Sequence, residues 1–297
     1  MNKLRSVQGL LRATYPLAAK ILAPFPREFG AFEVFLHARK GSIEWISRHL
    51  RILNELERIR RAEQRASLRV LDFGGSGGSL AQAMHLYGLV ERYELVLVDI
   101  DREAVERAPL HAPLVEKHVV SPDGNLPFGD GAFDVVVSSD VFEHIPKEYR
   151  QAWAKELDRV SMLAQIHTVP CDSKDGLHDS SSADLAFSTW FEGTFGQKER
   201  WTLEHLENGV PTHSDLARLF EPARLDSFAN TSVWAEVVRA QFHEHSRLRR
   251  IRRALRYVIL QKQADRKPPF KACLVVSERL TPLVNESRRD SDLSQTR

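Results

Sequence analysis

The stretch that most constrains this chain is Val70 to Leu80, which reads V-L-D-F-G-G-S-G-G-S-L. Arg69 to Phe73 is a short apolar run ending in an acid, as in a buried parallel strand that reaches the edge of its sheet. Gly74, Gly75, Gly77 and Gly78 then let the backbone turn sharply and approach a ligand without Cβ obstruction. Ser79 to Tyr87 has helical composition, with Leu80, Met84 and Tyr87 along one face and Gly88 as its stop. Strand, glycine loop and helix in this order bring a nucleotide against backbone N–H groups.

Three loop types share that geometry, and the residues separate them. A dinucleotide fingerprint needs glycine at relative positions 1, 3 and 6; counted from Gly75, the sixth position is Leu80. A nucleophile elbow, G-x-S-x-G, fits at Gly74, Ser76 and Gly78 and would make Ser76 a nucleophile. That reading needs several strands before the serine, whereas the preceding residues read as helical. The third type is the D-x-G-x-G-x-G loop of class I S-adenosylmethionine (SAM) methyltransferases, which the chain resembles at Asp72, Gly74 and Gly78, with Ser76 in place of the middle glycine.

The following residues strengthen that resemblance. Glu94 to Ile100 reads as the next parallel strand, and Asp99 near its end can accept hydrogen bonds from both ribose hydroxyls of a nucleoside. Asp123 to Pro146, D-G-N-L-P-F-G-D-G-A-F-D-V-V-V-S-S-D-V-F-E-H-I-P, resembles the corresponding segment of the ubiquinone and menaquinone biosynthesis type of methyltransferase. The resemblance implies a Rossmann-like, seven-stranded α/β sheet with SAM as cofactor. It implies Asp72, Gly74, Gly75, Ser76 and Gly78 around the amino-acid end of SAM, Asp99 and Ile100 near the ribose, and Asp123, Gly124 and Ser139 beside the remainder.

Composition limits the rest. At 42% apolar and 28% charged over 297 residues, the chain is long enough and apolar enough to bury a large core. A formal net charge of +2 argues neither for nor against a nucleic-acid partner, and none is expected because no motif or aromatic-basic platform marks one. Cys171 and Cys273 form no CxxC and no Cys/His spacing, so neither a zinc site nor a disulfide framework is expected, and a reducing cytoplasm fits. Arg12, Pro16 and Lys20 interrupt the N-terminal apolar stretch, against a signal peptide, and no run is long enough for a membrane span.

Residues 1–66 are expected to form a helical cap. It includes a long helix from an N-cap at Ser42 to about Gln64, with Ile43, Ile46, Leu50, Leu53 and Leu56 or Glu57 on its buried side. Arg48, Arg51, Arg58, Arg60 and Arg61 are expected on a solvated face. Residues 67–280 form the catalytic domain, with strands at 69–73, 94–100, 116–120, 133–138, 163–169, 225–233 and 271–278 and helices at 79–87, 102–108 and 147–160. Thr212 and Asp215 make a capping pair for a helix through Phe220. A lid at 171–212 reads as irregular, with Trp190, Phe191, Phe195 and Trp201 either lining a pocket or forming the lid's own core. An insertion at 234–262 carries a basic helix over 247–256, and 281–297 reads as a disordered tail.

Catalytic residues are less well marked, because the methyl group of SAM is already electrophilic and the protein has mainly to align a nucleophile and, where needed, remove a proton. His144, His178 and His205 are the candidates. His144 follows Glu143 at the end of the fourth strand, and the other two fall in the lid. Asp140, Glu143 and His144 form D-x-x-E-H, similar to an E-x-x-E-H that binds a divalent metal in some quinone and small-RNA methyltransferases. The first acid is shorter here and no second histidine is marked to join it, so no metal is expected. The expected reaction is methyl transfer to an oxygen or nitrogen of a small, lipid-linked or glycan-linked acceptor. The rival readings are a protein that holds SAM without turnover and a hydrolase using Ser76. The basic helix is a candidate contact for acidic membrane.

Overall fold

The computed structural model describes residues 43–243 and 266–279. Most of the expected cap (1–42), the basic segment 247–256 and the tail 281–297 lie outside the described residues. In chain order the elements are α1 (Ile43–Ala62), β1 (Leu68–Phe73), α2 (Ser79–Leu86), β2 (Tyr93–Asp99), α3 (Arg102–Arg107), β3 (Leu114–Val119), β4 (Phe133–Ser139) and α4 (Arg150–Val160). They continue with β5 (Ser161–Pro170), α5 (Ser180–Phe195), α6 (Arg200–Asn208), α7 (His213–Leu219), β6 (Arg224–Asn230), α8 (Thr231–His243) and β7 (Phe270–Glu278).

The seven strands form one sheet in the order β3-β2-β1-β4-β5-β7-β6. The first five pair in parallel, and β7 runs antiparallel between β5 and β6. This is the expected Rossmann-like sheet. Because alternate strand residues face opposite sides, it has two cores. Val70, Leu95, Leu97, Val135, Val137 and Ile166 face α1 and α2. Leu71, Phe73, Val96, Val98, Val136 and Val275 face Trp153 and Leu157 of α4 and Leu216 of α7. Strand order reverses between β1 and β4, so the crevice at their carboxyl ends is the natural ligand position.

Helix α1 buries Leu50, Ile52, Leu53, Leu56 and Ile59. Its arginines make only part of the solvated face expected from sequence: Arg61 is exposed, whereas the others lie against the domain. Arg48 pairs with Asp140, Arg58 pairs with Glu55 and Glu278, and the Arg51 guanidinium lies 4.5 Å from the Phe228 ring centroid. Glu57 is fully buried on this helix and accepts from the Tyr93 hydroxyl at 2.7 Å, from Arg92 at 2.7 Å and from Arg60 at 3.1 Å. Those partners explain the difference: Glu55 and Glu57 on the helix itself, with Asp140 and Glu278 at the sheet, pair the arginines, and burying the charges is tolerable only because they are paired.

Two further differences have local causes. The lid is mainly helical: Asp179 caps α5, and Glu199 caps α6 by accepting from Thr202 N–H at 2.8 Å. Strand β6 stops at Asn230, three residues before the expected end, because Asn230 Oδ1 accepts from the N–H groups of Ser232 and Val233 and so starts α8. Thr212 and Asp215 form the expected capping box of α7. Among the described residues, no helix is long and apolar enough to cross a membrane.

Candidate active site

The glycine loop leaves β1 at Phe73 and enters α2 at Ser79. Gly74 has φ +70°, and a Cβ there would lie 2.5 Å from a methyl of Val141. At Gly75 a Cβ would lie 2.6 Å from Asp72 Oδ2 and 2.9 Å from Leu97. These two positions require glycine by close approach, which the spacing of the motif alone did not reveal. Ser76 adopts φ +48°, so the left-handed turn that suits a glycine is made here by serine. Its N–H donates to Asp99 Oδ2 at 2.8 Å.

Asp72 is buried, and its Oδ2 has no hydrogen-bond partner among the described residues. Burial, with the neighbouring Asp99 charge, pushes its pKa from 3.8 up to about 7. An unpartnered buried acid beside a glycine loop suits a cationic ligand group. Asp99 is held from two sides, since Oδ1 accepts from Asp101 N–H at 2.9 Å. Each of its oxygens keeps a free lone pair for a further donor. Ile100 beside it is exposed, as an apolar wall for a planar ring requires. Asp123 is exposed and accepts from Asn125 N–H at 3.3 Å, and Gly124 has φ +89°. Ser139 ends β4, where its Oγ accepts from the Thr168 hydroxyl at 3.2 Å. The residues expected to bind SAM lie at the carboxyl ends of β1, β2 and β4 and in the loop between β3 and β4, and the orphaned Asp72 oxygen and the close-packed glycine loop fit such a cofactor.

The histidine candidates separate. His144 follows β4 and His205 lies on α6, yet their Nε2 atoms are 3.2 Å apart. Each has a carboxylate on its other nitrogen: His144 Nδ1 lies 3.0 Å from Glu204, and His205 Nδ1 lies 3.0 Å from Asp184. Burial pushes the Asp184 pKa upward, but Lys271 at 2.8 Å and His205 outweigh it and hold the acid below its ordinary range. Glu143, next to His144, is wholly buried, with neither carboxylate oxygen hydrogen-bonded among the described residues. His178 is elsewhere: it is buried against Phe270, with Nε2 at 2.9 Å from Ser227 Oγ and 3.2 Å from Cys273 Sγ. The lid histidine expected over the pocket is therefore packed on β6 and β7.

Cys171 and Cys273 are also in contact, with sulfurs 3.3 Å apart, although 102 residues separate them. The Cys171 S–H donated to Cys273, with His178 beside it, draws the Cys273 pKa down to about 5. Trp190, Phe191 and Phe195 pack with Phe187 and Phe242 in one aromatic cluster of the lid, buried at Phe187 and Phe191 and exposed at Phe195 and Phe242. Trp201 differs, standing edge-on to His144 at 5.4 Å. The Ser76 hydroxyl has no histidine partner among the described residues, and α1 rather than a strand precedes β1, so the elbow reading has no geometric support.

Part of the chain is similar in sequence to known proteins. Residues 71–162 match the profile of the methyltransferase domain family. This part of the chain is similar to a methyltransferase domain. Three mycobacterial proteins described as uncharacterized methyltransferases, from Mycobacterium sp. strains KMS, MCS and JLS, are each 37% identical over 81 residues. That match spans 27% of this chain and 30% of each relative. Among solved structures, the plantazolicin methyltransferase BpumL in complex with SAH is 10% identical, covers 82% of this chain and 86% of its own, and has a TM-score of 0.48. A SAM-dependent methyltransferase from Archaeoglobus fulgidus is 15% identical, with coverage of 76% and 93% and a TM-score of 0.41. The Rossmann-like fold rests on the sheet itself: five parallel strands, a reversal beside β1, and β7 inserted antiparallel before β6.

Proposed function

We propose that the chain binds SAM along the β1, β2 and β4 edge and transfers its methyl group to an oxygen or nitrogen of a small, lipid-linked or glycan-linked acceptor. The observation that carries the reading is the Asp72, Gly75 and Asp99 arrangement: a buried acid without a partner under a loop that admits no side chain, beside an acid fixed by two backbone N–H groups. Bound SAM supplies an electrophilic methyl on a sulfonium. Asp72 receives the ammonium end of the cofactor, and Asp99 the ribose hydroxyls. The loop N–H groups and the start of α2 face the same end. His144 and His205, at the end of β4 and on the lid helix α6, are assigned to the acceptor side, where an acceptor proton must be handled.

Two exposed rings favour a bulky acceptor: Phe195, at the edge of the α5 aromatic cluster, and Trp201 on α6, beside His144, are each more than two-fifths exposed. The basic segment 247–256 adds a contact with acidic membrane to this reading on sequence alone. The test is calorimetric titration of the protein with SAM and with SAH, followed by labelling with a fluorophosphonate. Saturable binding of both without serine labelling is expected. Serine labelling without SAM binding would replace the reading by a hydrolase. A candidate-acceptor screen with methyl-labelled SAM then separates turnover from binding alone.

A further inference from the structure

Glu143, His144 and His205 present their ligand atoms to one another: one ligand atom from each of the three lies within 4.8 Å of the other two. The two Nε2 atoms are 3.2 Å apart, and His205 Nε2 is 3.8 Å from Glu143 Oε1. Two atoms each roughly 2.0–2.1 Å from one ion stand about 2.9–3.4 Å apart across octahedral to tetrahedral angles; the histidine pair lies in this range, and the carboxylate at 3.8 Å must move closer to join it.

The ring orientations lead to the same place. His144 Nδ1 faces Glu204 and His205 Nδ1 faces Asp184, so Nε2 is the nitrogen that each ring can offer to an ion. The two Nε2 atoms lie side by side, next to a fully buried carboxylate that has no hydrogen-bond partner among the described residues. Arg150 senses the charge of Glu143 but directs its N–H groups to the carbonyl oxygens of Ile145, Asn208 and Gly209. A cation satisfies all three groups together. Carboxylates on the far nitrogens are also the usual supports of metal-binding histidines, fixing tautomer and ring direction. Here Lys271 anchors one of them, and Asn208 Nδ2 ties the His144 carbonyl to α6 at 2.9 Å.

We infer that Glu143, His144 and His205 form a binding site for a divalent transition-metal cation, although the sequence reading expects no metal. A mixed imidazole and carboxylate set suits manganese, iron, cobalt or zinc better than calcium. Three protein ligands leave positions for water or for an oxygen of the methyl acceptor; that last clause rests on the methyltransferase reading above.

The test uses the full chain stripped with chelator and titrated with MnCl2 and CoCl2 by calorimetry, with cobalt absorption spectra recorded alongside. One ion per chain is expected, with a weak visible cobalt band of nitrogen and oxygen ligation. Binding should weaken at least tenfold in His205→Ala and Glu143→Gln, and about 10–100-fold in Asp184→Asn, which removes only the support of His205. Circular dichroism and SAM titration should match wild type. If Glu143→Gln does not fold, His144→Ala, on a partly exposed residue, takes its place. Absence of saturable uptake of either ion, with the histidine pair sharing a proton instead, would overturn the site. Uptake unchanged by the variants would do the same. An intense sulfur-to-cobalt charge-transfer band would also overturn it, by moving the ion to Cys171, His178 and Cys273. Loss of wild-type SAM binding would count against the methyltransferase reading and leave metal uptake to be judged separately.

Discussion

Asp72 lies directly under Gly75, so closely that a Cβ at position 75 would come within 2.6 Å of Asp72 Oδ2. The glycine is therefore a condition for the acid's position as well as for the turn. Gly75→Ala should displace the carboxylate or the loop, at a cost of about 1–3 kcal/mol in stability, the range for overpacking. SAM affinity should fall at least tenfold while the circular dichroism of the sheet persists. Unchanged affinity in calorimetry would show that the cofactor does not use this acid.

The raised pKa of Asp72 makes a signed prediction for the ligand-free protein. An acid shifted from 3.8 to about 7 holds more protons folded than unfolded in that window. Its contribution to stability therefore falls as pH rises through the window and levels off above about 7. Asp72→Asn removes that slope, so thermal midpoints of mutant minus wild type should increase from pH 4 to pH 7. A flat difference would mean that the acid is not buried as described. In the presence of SAM, the wild type should gain more at pH 8 than the mutant, because the ligand's ammonium pairs only with the carboxylate.

Asp99→Ala removes the acceptor for Ser76 N–H and Asp101 N–H and, in the proposed complex, for two ribose hydroxyls. Hydrogen bonds to a charged group contribute roughly 1.5–3 kcal/mol each. Isothermal titration should show SAM binding weakened from about tenfold to several hundredfold. A variant that binds as tightly as wild type would remove the main support for the proposed function.

Ser76→Gly should retain or improve SAM binding, since φ +48° costs glycine nothing and serine a fraction of a kcal/mol to about 2. Ser76→Ala should keep its activity as well. Complete loss of turnover in Ser76→Ala, with SAM binding intact, would restore the nucleophile.

The membrane contact is tested by liposome co-sedimentation at low and high salt. Wild type is compared with a variant combining Arg249→Gln, Arg252→Gln, Arg253→Gln and Arg256→Gln. Each basic residue near an acidic surface contributes about 1 kcal/mol, so the variant should sediment less, and salt should erase the difference. Equal sedimentation of both proteins on acidic vesicles would remove the membrane from the reading.

What the sequence by itself determined is what is short in the chain. The run from Val70 to Leu80 specifies strand, loop and helix, because burial of an apolar run and the freedom of glycine act over a few residues. The Thr212–Asp215 cap was legible for the same reason. The caps at Asp179, Glu199 and Asn230 were equally local signals, and reading them would have placed α5, α6 and the end of β6. What only the tertiary structure decided is which distant side chains share one charge environment. Arg48 meets Asp140 across 92 residues, Cys171 meets Cys273 across 102, and His144 meets His205 across 61. No periodicity links such pairs. The sheet order sets which strand ends lie side by side, and the requirement that buried charges be paired then draws α1 and the lid helices onto them.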